Sequence, residues 1–290
     1  MTSPDRSPPA LALGCAKIGS ALTPLSERDT IALLRRAHEL GIRDFDTASI
    51  YGQGDSERLI GRALGAHRHG LRIATKGGQL LSAKQAFLAR FKGPIRFLAA
   101  RTGRIKQGVA DARGQGVPKC FAAAYIAQSL EGSLLRLGTR HVDTYYLHSP
   151  PVAALSDPAL KGVLRRARAS GRARQIGVSC DDLDLALAAA ADPDIDVVQF
   201  ALSPDPRCLL VLDTLAAHGK RAVVRGLLNA GPAAGSASGP ASQGLAERIA
   251  ASVAHPAVSA VILGTTDIGH LAENVRAFEA ATRTCLKDAA

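Results

Sequence analysis

Short apolar segments alternate with amphipathic segments along the chain. The apolar segments are rich in Val, Ile and Leu, as strands buried on both faces are. We therefore predict eight strands, at Leu11–Gly14, Ile42–Asp46, Leu71–Thr75, Val142–Leu147, Arg174–Ser179, Asp196–Phe200, Arg221–Arg225 and Val258–Leu263.

Helical spacing of apolar residues follows most of these strands. The clearest case is residues 27–40, where Ser26 and Asp29 resemble a capping box and Gly41 supplies a C-terminal stop. The same reasoning predicts helices at 27–40, 121–137, 157–170, 181–191, 206–218, 242–254 and 267–280.

This alternation predicts an α/β fold, a (β/α)8 TIM barrel that forms one domain over residues 1–290. An open doubly wound sheet is the alternative, and it usually has a G-x-G-x-x-G turn after the first strand. The corresponding segment Gly14–Gly19 does not match that pattern. A P-loop and a G-x-S-x-G motif are also absent from the sequence.

Two long connections interrupt the pattern. Residues 77–119 carry a net charge of +8, most of the chain's formal +11, so we predict a basic insert after strand three. We interpret it as a solvated helical excursion, or as a lid that favours an anionic substrate. The rest of the chain is nearly balanced, so we expect no nucleic-acid partner. Residues 229–242, rich in Gly, Ala and Ser, form a second loop suited to ligand approach.

The sequence contains no apolar run long enough for a membrane span, and Met1–Ala10 is polar and proline-rich. The five cysteines include no C-x-x-C pair. We therefore expect a cytoplasmic protein with no signal peptide, disulfide framework, metal site or membrane partner. The oligomeric state stays open.

Four chemically active side chains follow strands two, three and four. They are Asp46, Tyr51, Lys76 and His148, and the C-terminal strand ends of a barrel meet at one mouth. A lysine next to a tyrosine favours the phenolate, an aspartate can hold that lysine, and a histidine can orient a substrate oxygen. Asp46 and Lys76 could also be a structural ion pair, but all four in register favour catalysis.

The same residues carry a resemblance to the aldo-keto reductase family. The resemblance extends from about Leu11 to Phe278 and rests on several motifs in order. They are Phe45–Gly52 with Ser56-Glu57 and Leu59–Gly61, then Ala74–Lys76, Tyr146–His148, Ile176–Ser179 and Gly264–Asn274.

The resemblance implies that Tyr51 is the general acid, tuned by Lys76 and Asp46, and that His148 orients a carbonyl. It also implies a nicotinamide cofactor across the barrel mouth, NADPH with NADH possible. The implied cofactor residues are Ser179, Gln199, Arg225, Gly264, Thr265, Thr266, His270, Glu273 and Asn274. Thr265 and Thr266 would open the last helix, where a phosphate is favoured.

Some positions depart from the family pattern. Cys180 stands where an asparagine is usual, and Arg225 where a tyrosine often stacks on nicotinamide. Gly264 and His270 stand where many members grip a 2′-phosphate with basic side chains. We therefore expect a reduced preference for NADPH and usable NADH.

The sequence thus predicts an oxidoreductase that interconverts a small aldehyde, ketone or sugar carbonyl and its alcohol. The alternative is a nicotinamide-binding regulatory or partner-binding barrel with little turnover. An isomerase or lyase on the same barrel ranks third. The physiological substrate and the reaction direction stay open.

Overall fold

A computed structural model describes residues 8–20, 23, 25–80, 117–228 and 241–288. Its eight strands are parallel and close into a barrel in chain order. The strands are β1 (Ala10–Gly14), β2 (Asp44–Asp46), β3 (Arg72–Gly77), β4 (Val142–His148), β5 (Ala173–Cys180), β6 (Val197–Ala201), β7 (Arg221–Arg225) and β8 (Val258–Leu263). The predicted (β/α)8 fold is confirmed.

Eight helices lie between or after the strands in the described ranges. They are α1 (Glu27–Glu39), α2 (Asp55–Leu64), α3 (Ala123–Leu137), α4 (Pro158–Ala169), α5 (Leu183–Ala191), α6 (Arg207–Ala217), α7 (Ala241–Ala254) and α8 (Ile268–Asp288). Ser26 caps the N-terminus of α1, since its Oγ accepts from Asp29 N over 3.1 Å, and the same hydroxyl donates to Asp29 Oδ2 over 2.6 Å.

The structure differs from the sequence prediction at three points that bear on the site. Helix α2 was missed, because it begins inside the motif that was read for chemistry. Strand β3 extends to Gly77, so Lys76 lies within it. Helix α8 begins at Ile268, so Thr265 and Thr266 precede that helix and do not open it.

The two ends of the basic insert meet beside β3. Gln79 and Lys119 form an antiparallel bridge, and Leu80 N donates to Pro118 O over 2.8 Å. The predicted helical excursion itself, and residues 229–240 of the loop predicted at 229–242, lie outside the described residues, whereas Ala241 and Ser242 begin helix α7. Because the two ends of the insert meet, strands β3 and β4 stay hydrogen-bonded neighbours in the barrel. Their pairing begins with Ala74 opposite Thr144 and ends with Gly77 opposite Leu147.

A cavity of about 340 Å³ lies at the end of the barrel where the strands begin. Small side chains such as Ala10, Ala12 and Ala74 line it. At its rim, Arg72 donates two hydrogen bonds to Asp44, over 2.7 and 2.5 Å. Helices cover the outside of the ring, and in the described part of the chain none has both the length and the apolar character needed to cross a membrane.

Candidate active site

A buried ion pair joins the ends of β2 and β3. Lys76 Nζ donates to Asp46 Oδ1 over 2.5 Å and to Thr47 O over 2.9 Å. The Lys76 side chain is 1% exposed. Burial alone would lower the pKa of Lys76, but Asp46 and Tyr51 together outweigh burial, and the pKa is raised. A permanent ammonium group is therefore held inside the barrel mouth.

Tyr51 lies directly beside this ammonium group. It begins a short 3₁₀ helix, Tyr51–Gly54, and its ring centroid is 5.2 Å from Lys76 Nζ. Gly52 has a φ of 54°, and a Cβ there would lie 2.7 Å from the backbone of Gly19, so the turn that presents Tyr51 requires glycine. Burial raises the pKa of Tyr51, while Lys76 lowers it. The net direction is upward, so burial outweighs the expected effect of the lysine.

His148, the last residue of β4, faces the tyrosine. The two rings meet edge to face, with centroids 6.0 Å apart and planes at 87°. Burial, and then the charges of Lys76, Arg225 and Lys119, lower the pKa of His148 to about 3. Its buried Nδ1 has no hydrogen-bond partner among the described residues. The imidazole is therefore neutral at physiological pH, and the absence of an acceptor at Nδ1 favours the proton on Nε2.

A chain of hydrogen bonds leads from β5 to the ion pair. Ser179 Oγ donates to Gln199 Oε1 over 2.7 Å, and Gln199 Nε2 donates to Asp46 Oδ2 over 2.7 Å. Both residues are buried. The structure thus brings Ser179 and Gln199 to the same mouth as the four predicted catalytic residues. The bond from Gln199 to Asp46 was not foreseen, because strand order alone does not indicate which inward side chains touch.

The two unusual residues on this side of the mouth are held in place. Arg225 Nη2 donates to Cys180 O over 3.1 Å and to Asp181 Oδ1 over 2.6 Å. Burial raises the pKa of the Cys180 thiol to about 12. Cys180 is therefore an unreactive packing residue, and the charge of Arg225 is paired with an exposed carboxylate.

The segment after β8 differs from the prediction in one respect. Asp267 Oδ1 accepts a hydrogen bond from His270 N over 2.9 Å, and this bond lowers the pKa of Asp267. A carboxylate thus caps helix α8, where the sequence suggested free amides for a phosphate. Of the other predicted residues, Gly264 and Glu273 are exposed, Thr265 and Thr266 are partly buried, and Asn274 is buried.

A second buried carboxylate, that of Glu57, binds the side chain of Thr75 on β3. Glu57 is fully buried; it accepts from Thr75 Oγ1 over 2.5 Å and from Arg136 Nε over 2.6 Å. Thr75 directly precedes Lys76, so this group fixes the strand that carries the ammonium. Sequence reasoning noted Glu57 only as part of a motif. A charged residue among the apolar positions of a helix was the signal that could have identified it.

The described residues thus place a buried acid–lysine pair next to a tyrosine and a neutral histidine at one mouth of the barrel, an arrangement that can transfer a proton. Residues 10–247 match the model of the aldo/keto reductase family. The chain therefore belongs to the aldo/keto reductase family, a family of oxidoreductases.

Curated relatives agree with this membership. The chain is 30% identical over 234 residues to a D-threo-aldose 1-dehydrogenase of Pseudomonas sp., covering 77% of this chain and 67% of that protein. It is 26% identical over 178 residues to an L-galactose dehydrogenase of Arabidopsis thaliana, covering 61% of this chain and 46% of that protein. The match thus spans about two thirds of the first relative and about half of the second.

Solved structures share the fold. An aldo-keto reductase structure from Pseudomonas aeruginosa superposes with a TM-score of 0.71 at 24% identity, covering 95% of this chain and 90% of that chain. An aldo-keto reductase from Klebsiella pneumoniae in complex with NADP and acetate superposes with a TM-score of 0.63 at 20% identity, covering 94% and 86%.

Proposed function

We propose that this protein is an NAD(P)(H)-dependent oxidoreductase that interconverts a small aldehyde, ketone or sugar carbonyl and its alcohol. The observation that carries this proposal is the 5.2 Å approach of Lys76 Nζ to the Tyr51 ring centroid, together with the edge-to-face contact between the Tyr51 and His148 rings. These groups can act together on one substrate oxygen.

In the reduction direction, Tyr51 donates its proton to the carbonyl oxygen. The raised pKa of Tyr51 keeps the phenol protonated at neutral pH. The charge of Lys76 stabilises the phenolate that forms when the proton leaves. Asp46 holds Lys76 in position, and the neutral imidazole of His148 donates from Nε2 to orient the same oxygen. In the oxidation direction the tyrosine takes the proton back.

The residues at the ends of β5, β6 and β7 fit a nicotinamide group. Ser179 Oγ keeps acceptor capacity after its bond to Gln199, and Arg225 presents a planar guanidinium beside them. A bound nicotinamide cofactor supplies or accepts the hydride. At the other end, Asp267 places a negative charge beside His270, which supports NADPH binding with reduced preference and a usable NADH.

Names of relatives support this substrate class. Two curated relatives are dehydrogenases of sugars, and another is a pyridoxal 4-dehydrogenase. A structural neighbour is in complex with NADP. A small carbonyl or alcohol, including the sugar form, is therefore the class to test first.

The test is cofactor consumption with a panel of aldehydes, ketones and sugars, by wild type and Tyr51→Phe. Tyr51→Phe keeps the ring and removes the acidic oxygen. We expect kcat to fall at least about a hundredfold, with cofactor affinity little changed. Near-normal turnover by the variant would remove Tyr51 from the mechanism.

The alternative is a regulatory or partner-binding barrel. It predicts cofactor binding without measurable turnover of any carbonyl or alcohol in the panel. A fluorescence titration with NADPH and NADH, made on the same preparation, separates an inactive binding protein from an unfolded or cofactor-free one.

A further inference from the structure

Lys119 stands at the mouth of the barrel beside the catalytic histidine. Its Nζ donates to Ser149 O over 2.9 Å, and Ser149 directly follows His148. The backbone around Lys119 is fixed, because Lys119 forms a bridge with Gln79 and Cys120 N donates to Gly78 O over 2.8 Å. The lysine is therefore placed by the fold, although its side chain is exposed.

The acceptor of this hydrogen bond is fixed as well. Ser149 has a φ of 54°, which is unusual for a residue other than glycine. Its N–H donates to Ser179 O over 2.7 Å, which ties the turn after β4 to β5. The ammonium group thus rests on a rigid carbonyl and uses one of its three donors.

Lys119 differs in its partner from Lys76 and Arg225, the cations described above at the mouth. Lys76 is paired with Asp46, and Arg225 with Asp181. Within the described residues, no carboxylate lies within 4.0 Å of Lys119 Nζ. Its positive charge is not neutralised by a described side chain, and it contributes to the low pKa of His148.

The position of Lys119 separates it from the candidate cofactor contacts. Those contacts lie on β5 to β8, whereas Lys119 lies where β3 and β4 end. A group that contacts Lys119 would therefore approach from the β3–β4 side of the mouth, next to His148.

We propose that Lys119 is a specificity-determining residue that selects carbonyl substrates bearing an anionic group, a carboxylate or a phosphate. This inference rests on the proposed function. A lysine is a compact point charge with free donors, so it can accept either anion. Neutral carbonyls gain nothing from it.

The experiment compares matched substrate pairs. Succinic semialdehyde is paired with butanal, and glyceraldehyde 3-phosphate with glyceraldehyde; kcat/KM is measured for each with wild type, Lys119→Met, Lys119→Arg and Lys161→Met. Lys161 is a matched control, because it lies on α4 and pairs with Asp192 and Asp194 outside the mouth.

Wild type is expected to prefer at least one anionic member of a pair. Lys119→Met should lower that preference at least about tenfold, while neutral turnover stays within about twofold, because hydrogen bonds to charged groups are the strong ones. Lys119→Arg should keep most of the preference, and Lys161→Met all of it. The substrate pair whose kcat/KM ratio changes shows whether Lys119 selects a carboxylate or a phosphate.

Two results, each obtained with active enzyme, contradict this inference and leave the proposed function intact. The first is a wild type that prefers the neutral member of both pairs, and the second is a Lys119→Met variant whose ratio of anionic to neutral kcat/KM equals that of wild type. Failure of all four carbonyls in wild type contradicts the proposed function instead. Inhibition by butyrate gives a second readout, since its inhibition constant against butanal should rise in Lys119→Met and stay constant in Lys161→Met.

Discussion

Gln199 Nε2 donates a hydrogen bond of 2.7 Å to Asp46 Oδ2, from β6 to β2 across the barrel. Asp46 uses its other oxygen for Lys76. The carboxylate is thus held at both oxygens, which fixes the lysine beneath Tyr51. Gln199 therefore joins the candidate cofactor side of the mouth to the proton-handling side.

Gln199→Met should loosen this arrangement. The variant leaves one oxygen of a buried carboxylate without its donor, which costs about 1–3 kcal/mol of unfolding free energy. We also expect a lower kcat, because Asp46 and Lys76 are then less firmly placed. Urea denaturation and steady-state kinetics measure both. Gln175→Met is the control, since its contact with Thr144 is long, at 3.4 Å; equal losses in the two variants would contradict the assignment.

Lys76→Met should be severe in two ways. It removes the charge that stabilises the Tyr51 phenolate, so kcat should fall at least about a hundredfold. It also leaves Asp46 as an unpaired buried acid, which costs about 3–5 kcal/mol of unfolding free energy. The double variant Asp46→Asn with Lys76→Met should recover part of the stability and none of the activity. Activity recovered in the double variant would refute the role of the charge.

His148 should make the protein less stable in mild acid. Its pKa is about 3 in the folded state, against a reference value of 6.5. The unfolded chain therefore binds a proton between these values and the folded chain does not, so unfolding free energy falls as pH falls from about 6.5 to about 3, by at most about 1.4 kcal/mol per pH unit.

His148→Gln should flatten this part of the stability profile. Exposed His218→Gln is the control and should leave it unchanged. Thermal melting from pH 4 to pH 7 measures the slope. Parallel profiles for wild type and His148→Gln would show that His148 titrates normally in the folded protein.

The negative charge of Asp267 should weaken NADPH binding by repelling the 2′-phosphate. Asp267→Asn keeps a capping side chain for the His270 N–H and removes the negative charge. We expect NADPH affinity to rise several-fold, about 2- to 10-fold, with NADH affinity nearly constant. Adding His270→Arg should increase the difference. Fluorescence titration gives both dissociation constants, and Asp213→Asn on α6 is the control. Equal changes for the two cofactors would place the phosphate elsewhere.

Gly177 should tolerate no side chain. A Cβ there would lie 2.6 Å from the Tyr146 ring and 2.6 Å from Val197 O. Gly177→Ala should therefore destabilise the protein by about 1–3 kcal/mol or more and disturb Tyr146, whose ring lies 5.9 Å from Lys76 Nζ. Gly65→Ala is the control, because nothing lies within 4 Å of its Cβ position. Similar melting temperatures for the two variants would disprove the clash.

Much of this architecture was accessible from sequence because strands buried on both faces have a strong apolar signature. All eight strands were located, and two of them, Arg221–Arg225 and Val258–Leu263, have the predicted bounds. The convergence of Asp46, Tyr51, Lys76 and His148 followed from strand order, since parallel strands end at one face. Boundaries were less certain, because strand ends such as Lys76 and Gly77 lack apolar character.

Side-chain partners could not be predicted in the same way. The choice of Gln199 as the donor to Asp46, and of Asp267 as the cap of α8, depends on rotamers and loop geometry. The net effect on Tyr51 also needed coordinates, because it is a difference between burial and the charge of Lys76.

The mouth of the barrel is divided between two arcs of strands. The candidate proton-transfer residues lie on or just after β2, β3 and β4, while the candidate cofactor contacts lie on or after β5 through β8. We therefore expect substitutions at positions such as His270 to change coenzyme preference without changing the candidate proton donor Tyr51, whereas the charge of Arg225 acts on Tyr51, Lys76 and His148 as well. Gln199 connects the two arcs by a direct hydrogen bond, since it lies on one arc and binds the other. We therefore expect a change at Gln199 to alter coenzyme binding and chemistry together.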